Sequence, residues 1–219
     1  MGQKVNPISF RVGINHPWQS RWYAAGAEYK KLLNEDIKLR DSLFKKLALA
    51  GIQTVEIERL PHALTIRVKV SRPGVVIGRG GSGIEDIRKF VLERLGYKQN
   101  SKDGAKLPKI EIQVEEVKNP DLSARLVAQR IVSELERRMP QRRVVTKTME
   151  RVMASGAKGI KVALSGRIGG AEIARHEKFH KGSMPTQSLR ANIDYFQTPA
   201  SLSRGYVGVK VWIHRPMES

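Results

Sequence analysis

Two stretches of this chain place side chains at spacings that chemistry could use. The first is Val75-Val76-Ile77-Gly78-Arg79-Gly80-Gly81-Ser82-Gly83-Ile84-Glu85. Gly78 and Gly81 bracket Arg79 and Gly80, and Gly83 follows closely. A turn so poor in Cβ atoms, with φ > 0 open to it, lets a backbone lie close to a phosphate chain. Ser82 and Glu85 stand at capping-box spacing, so a helix is expected to begin there with free N–H groups beside the loop. Ile84, Ile87, Val91 and Leu95 recur at helical spacing and would anchor that helix in a core. The second stretch, His176-Glu177-Lys178-Phe179-His180, matches H-E-x-x-H, the pattern in which two imidazoles on one helix face hold zinc and the glutamate acts as base.

Each stretch has a rival explanation in its surroundings. Gly78, Gly80 and Gly83 also fit the dinucleotide pattern G-x-G-x-x-G, which needs a full strand before it and a parallel strand after the helix. Here only Val75-Val76-Ile77 separate Pro73-Gly74 from the loop, and Gly- and Lys-rich loop follows the helix. A simple turn explains the glycines but not the helix start. What fits best is a G-x-x-G clamp, Gly78-Arg79-Gly80-Gly81, between two helices, as the KH fold uses for single-stranded nucleic acid. Around the histidines, Arg175, Lys178 and Lys181 disfavour a dication, Gly182 cuts short any helix, and no motif supplies a third ligand from His16, His62 or His214. Two surface histidines on a basic segment are the simpler account. Cysteine is absent, no serine has a matched histidine and acid, and no G-K-[ST] loop occurs, so neither an enzyme nor a cofactor or metal is expected.

Charge points the same way. The chain has 219 residues, with 40 Lys plus Arg against 21 Asp plus Glu, a formal net charge of +19. Such an excess repels itself in a compact fold and calls for an anionic partner, most often a phosphate backbone. From Arg137 to Lys181 there are twelve Lys or Arg against three Glu, too few acids for the i,i+4 pairing of a solvated face. Gly166-Arg167-Ile168-Gly169-Gly170-Ala171-Glu172 is either a phosphate-contacting turn or a plain one. The lack of cysteine, of an apolar leader and of any membrane-length run leads us to expect a cytosolic, nucleic-acid-associated protein.

The elements that must position these groups are legible in outline. Residues 1–26 read as an extended arm in which Trp18, Arg21, Trp22 and Tyr23 could stack or pair. Tyr29, Leu32, Leu33, Ile37, Leu43, Phe44 and Leu47 approximate a helical stripe stopped by Gly51. Strands follow over Thr54–Leu60 and Leu64–Val70 with a Pro61-His62 turn, then a short helix, the glycine loop and its helix. A polar loop over Tyr97 to Pro108 leads to a strand at Lys109–Val114. Asn119-Pro120-Asp121 begins a helix reaching Pro140, and a second helix runs from about Arg142 to Ser155. Strands are expected over Gly159–Gly166, Leu189–Phe196 and Tyr206–His214, with a short helix after Glu172. The expected fold class is α+β: an element order resembling a type II KH domain (α-β-β-α-α-β) over 27–118, then a C-terminal α/β domain over 119–219 with two helices on a small, mostly antiparallel sheet.

Gly2-Gln3-Lys4-Val5-Asn6-Pro7, Arg72-Pro73-Gly74-Val75-Val76-Ile77-Gly78, Gly156-Ala157-Lys158-Gly159 and Gly169-Gly170-Ala171-Glu172-Ile173-Ala174-Arg175 occur in order. So do Leu189-Arg190-Ala191-Asn192-Ile193-Asp194-Tyr195 and Gly208-Val209-Lys210-Val211-Trp212-Ile213. In these motifs the chain closely resembles the bacterial small-subunit ribosomal protein three family. The resemblance implies a structural constituent of the small subunit, bound in its head to ribosomal RNA. It also implies contact with messenger RNA at the entry channel and packing with ribosomal proteins ten and fourteen. Arg142 and Arg143 fall where the family places basic residues linked to unwinding messenger; a third such position is Thr146 here, beside Lys147. The clamp departs too, with Gly80 where relatives often carry a second cation. The expected RNA-contacting residues are Gly78, Arg79, Gly80 and Gly81 in the loop, with Lys4 and Arg11 in the arm. The basic helices and turn add Arg137, Arg138, Arg142, Arg143, Lys147, Arg167, Arg175 and Lys178. A free-standing KH regulator of messenger RNA is the alternative.

Overall fold

The computed structural model describes residues 4–60, 63–95, 109–203 and 205–216; the Pro61-His62 turn and the polar loop over Tyr97 to Pro108 lie outside them. The chain forms two compact units, Trp18–Lys118 on the one hand and Met1–Pro17 with Asn119–Ser219 on the other. The arm drawn over residues 1–26 is therefore divided between them.

In the first unit, β1 (Ser20–Arg21), α1 (Gly26–Lys46), β2 (Ile52–Leu60), β3 (Ala63–Val70), α2 (Pro73–Ile77), α3 (Ser82–Arg94) and β4 (Lys109–Glu116) follow one another. The sheet order is β1-β2-β3-β4, with β3 antiparallel to β2 and parallel to β4. This is the α-β-β-α-α-β order of a type II KH domain. Alternation in the strands buries Val55, Ile57, Ile66 and Val68 against Leu39 and Leu43 of α1 and Ile87 and Val91 of α3. Helix α1 stops at Lys46, and Gly51, in the left-handed region (φ 67°), ends the 3-10 turn Ala48–Ala50 that follows it.

The face of α1 differs from the apolar stripe. Tyr29, Leu33 and Ile37 are exposed, and the buried positions are Asp36, Leu39 and Leu43. Asp36 is drawn inward because it accepts hydrogen bonds from Arg59 at 2.6 and 2.9 Å, Trp22 Nε1 at 2.7 Å and Ser20 Oγ at 3.2 Å. A carboxylate satisfied on all sides is tolerated where a lone one is not.

The second unit holds α4 (Ala124–Glu136), α5 (Gln141–Ala154), β5 (Gly159–Gly166), β6 (Arg175–Gly182), β7 (Ile193–Leu202) and β8 (Gly205–His214). Its sheet runs β6-β5-β8-β7, every described pairing antiparallel. Val127, Ile131, Val144, Val145 and Val152 of the two helices pack on Ile160, Val162, Leu164, Val209, Val211 and Ile213.

Several local expectations are corrected. The helix placed after Glu172 is the edge strand β6, whose backbone is satisfied by β5. Its side chains alternate, with Phe179 against the core and His176, Lys178 and His180 on the other face. Phe179 is its only strong apolar residue, so no period was visible. The helix start expected at Asn119 is a 3-10 turn over Pro120–Leu122 with Asn119 at its N-cap; α4 itself starts at Ala124, whose amide donates to Asp194 Oδ2 at 2.9 Å, a cap supplied from β7. The strand expected from Leu189 begins at Ile193, because the carbonyls of Leu189 and Arg190 accept from Asn15 Nδ2 and that of Ala191 accepts from Arg11 Nε.

Candidate nucleic-acid interface

The glycine loop is built on two helices packed backbone to backbone. Pro73 opens α2, which ends at Gly78 (φ 69°, ψ −179°), and a single tight turn over Arg79–Gly81 leads into α3. A Cβ at Gly83 would lie 2.4 Å from the Val76 carbonyl oxygen, and one at Gly78 would lie 2.9 Å from Gly83 N. These two glycines thus hold α2 against α3. Gly80 (φ 62°) and Gly81 (φ 85°) meet nothing within 4 Å, so their left-handed turn leaves open space above the backbone. The capping box does not form: Gly81 occupies the N-cap, and the Ser82 hydroxyl donates to the Arg79 carbonyl at 3.1 Å. The helix start itself lies where expected, with its N-terminal amides at the loop. Val75 and Ile77, in α2 just before the turn, are exposed and add an apolar surface beside it. Arg79 is exposed and has no ion-pair partner among the described residues.

In the second unit, α5 buries Val144, Val145, Thr148, Met149 and Val152 and turns the rest outward. Arg142, Arg143, Thr146, Lys147, Glu150 and Arg151 are exposed on that face. Arg143, Lys147 and Arg151 form one i,i+4 row; Arg151 is the residue that sequence reading missed, although its spacing from Lys147 was the available signal. The turn before α5 is strained. Arg138 has φ 61°, the sole left-handed residue other than glycine among those described. It sits at the position glycine favours in a Schellman motif, with Arg138 N donating to the Leu135 carbonyl at 2.9 Å and Met139 N to the Glu134 carbonyl at 3.2 Å. This stop ends α4 before Pro140.

Arg138 and Arg167 border a cleft of about 470 Å³ with Gln141, Gly169, Ser201 and Val207. Arg167 is exposed and is folded over its own turn, its Nε donating to the Ala171 carbonyl at 2.9 Å. A second recess of about 320 Å³ joins α5 to β6 through Thr146, Glu150, Lys178 and Lys181. Arg137 and Arg175 are exposed at the ends of α4 and β6, and Lys4 is exposed near the N-terminus.

Arg11 leaves the RNA-binding set. It is fully buried, and its guanidinium donates to the carbonyls of Ala191, Pro7, Thr186 and Ser188 at 2.8, 3.0, 2.9 and 2.7 Å. Desolvation lowers its pKa from the ordinary arginine value. The H-E-x-x-H pattern also loses its chemistry. On a strand, residues four apart lie about 13 Å apart, and the intervening glutamate points to the other face. Glu177 accordingly lies opposite Leu164 in the register, with His176 and His180 opposite Ser165 and Lys161.

Pairing sorts the cations. Arg59, Arg67 and Lys69 are matched to Glu35, Asp36, Glu56 and Glu58; Arg130 and Arg215 are matched to Asp121 and Asp194. Arg79, Arg137, Arg138, Arg142, Arg143, Lys147, Arg175 and Lys178 have no carboxylate partner among the described residues. The cations at the glycine loop and along the outward face of α5 thus stand exposed without carboxylate partners among the described residues.

Comparison with known proteins places these features. Residues 131–213 match the family "Ribosomal protein S3, C-terminal domain", and residues 38–122 match the family "KH domain". The chain is 45% identical to small ribosomal subunit protein uS3 of Persephonella marina, over 98% of this chain and 90% of that protein. It is 42% identical to that of Shouchella clausii (98% and 93%) and 44% identical to that of Desulforamulus reducens (98% and 92%). A type II KH unit with a glycine clamp, a two-helix unit on an antiparallel sheet, and relatives matched along nearly the whole length place this chain in the uS3 family of ribosomal proteins.

Proposed function

We propose that this chain works as a non-catalytic constituent of the small ribosomal subunit in the cytoplasm, binding small-subunit ribosomal RNA in the subunit head and contacting messenger RNA at the entry channel. Membership of the family carries the coarser part, a ribosomal RNA-binding structural protein. The finer part rests chiefly on the unpaired row Arg142, Arg143 and Lys147 on the outward face of α5, with strained Arg138 at its start. A left-handed arginine where glycine is preferred costs the fold about 1–2 kcal/mol, which favours a use for its side chain. The open backbone of Gly80 and Gly81, with Arg79 beside it, supports close approach of a second RNA segment in the KH unit. The exposed apolar residues Tyr29, Leu33 and Ile37 on α1 support protein packing, for which ribosomal proteins ten and fourteen are the partners we propose.

Sedimentation tests this directly. The chain should comigrate with small subunits on a sucrose gradient at low salt. Arg142→Gln with Arg143→Gln should reduce messenger binding to reconstituted subunits while leaving comigration intact. Should the chain stay at the top of the gradient and bind one RNA sequence selectively, it is a free-standing regulator.

A further inference from the structure

The sheet of the C-terminal unit has two faces, and α4 and α5 cover one. Strand pairing aligns a row across the other: His180 of β6, Lys161 of β5, Trp212 of β8 and Tyr195 of β7. The next row brings Lys178, Ala163, Lys210 and Gln197 together in the same order. The Trp212 and Tyr195 rings lie 5.1 Å apart at 40°, and Lys161 Nζ sits 5.3 Å from the Trp212 ring. Both rings are half-buried, whereas Lys178, His180, Lys210 and Gln197 are exposed. At the hairpin end of β8, Tyr206 is 71% exposed, about 20 Å along the strand from Trp212. None of the outward positions on the four strands carries a carboxylate.

We propose that this open sheet face is a further RNA-binding surface, on which unpaired nucleotides stack against Trp212 and Tyr195 while Lys161, Lys178 and Lys210 take their phosphates. Base stacking on aromatic side chains is tolerant of sequence and needs a ring presented from a rigid support. Central strand β8 carries Trp212, and β7, paired to it along ten residues, carries Tyr195. An aromatic pair placed only to cover the sheet would need no cations around it. Lysines placed only for solubility would come with acids, as they do on β3 and β4 of the KH unit, where Lys69 meets Glu56 and Glu115 and Lys109 meets Glu111. The face is bounded at one end by the N-terminal segment, where His16 Nε2 lies 3.2 Å from the Ile193 carbonyl. A single strand crossing from β6 to β7 would therefore run past Lys178, Lys161 and Trp212 to Tyr195. The surface is separate from the α5 row and does not rest on it.

The test uses the full chain and a twelve-residue oligouridylate. Ultraviolet irradiation should cross-link the RNA to peptides containing Trp212 or Tyr195. Lys161→Gln with Lys210→Gln should abolish those cross-links, weaken binding at least fivefold, and lower the salt slope of log K by about 1.4. Neither lysine has a carboxylate partner among the described residues, so the double variant should keep its far-ultraviolet circular dichroism. Cross-links confined to the α5 peptide, or an unchanged salt slope in the double variant, overturn the proposal while leaving subunit comigration untouched. It also falls if polyglutamate, and not oligouridylate, protects Lys161 and Lys210 from acetylation, since the surface then takes an acidic protein segment.

Discussion

Arg11 Nε donates to the carbonyl oxygen of Ala191 at 2.8 Å, joining positions 180 residues apart. With its three other carbonyl acceptors, this pins the N-terminal segment into the C-terminal unit. Arg11→Ala would leave these acceptors buried and unmatched, at a cost of about 3 kcal/mol. Hydrogen exchange should rise through residues 184–193 and leave the KH unit unchanged, because all four bonds stay within the C-terminal unit. Equal loss of protection in both units would contradict this assignment.

The four loop glycines should not be equivalent. Gly83→Ala sets a Cβ against the Val76 carbonyl and should destabilise the KH unit by at least about 2 kcal/mol. Gly80→Ala meets open space, so it should cost only the left-handed strain, about 1 kcal/mol. Urea unfolding of the two variants separates packing glycines from surface ones, and indistinguishable midpoints would show that α2 and α3 do not pack as described.

Relief of strain at Arg138 should have opposite effects on folding and binding. Arg138→Gly removes the Cβ penalty at φ 61° and should raise stability by about 1 kcal/mol. The same change should weaken RNA binding and lower the salt slope by about 0.7–0.9 for one lost phosphate contact. A variant that is more stable and binds with the wild-type slope would remove Arg138 from the interface.

Thr146 is exposed on α5, one turn from both Arg142 and Glu150. Thr146→Lys should extend the cationic face with little change in helix stability, because the i,i+4 attraction to Glu150 is offset by like-charge repulsion from Arg142. RNA affinity at low salt should increase, with a slope steeper by about 0.7–0.9. An unchanged slope in a fluorescence anisotropy titration would mean that RNA does not follow this face.

The sequence by itself determined the α-β-β-α-α-β order of the KH unit, the place of the glycine turn, and the apolar faces of β2, β3, α4 and α5. Those features are encoded by near neighbours: alternation, helical spacing, and glycine where φ must be positive. It also placed Arg142, Arg143 and Lys147 on one basic helix, since their spacing and the scarcity of nearby acids are local properties. Tertiary structure alone decided which cations were free. Sequence alone marks both Arg11 and Arg142 as RNA-contacting arginines, yet one is consumed by distant carbonyls and the other faces outward. It likewise decided that Asp36 is buried, that Asp194 caps α4, and that His176-Glu177-Lys178-Phe179-His180 is an edge strand. The row from His180 to Tyr195 exists only once four strands pair. In each of these cases the deciding partner is remote along the chain, and nothing in a local pattern fixes whether a remote partner will arrive.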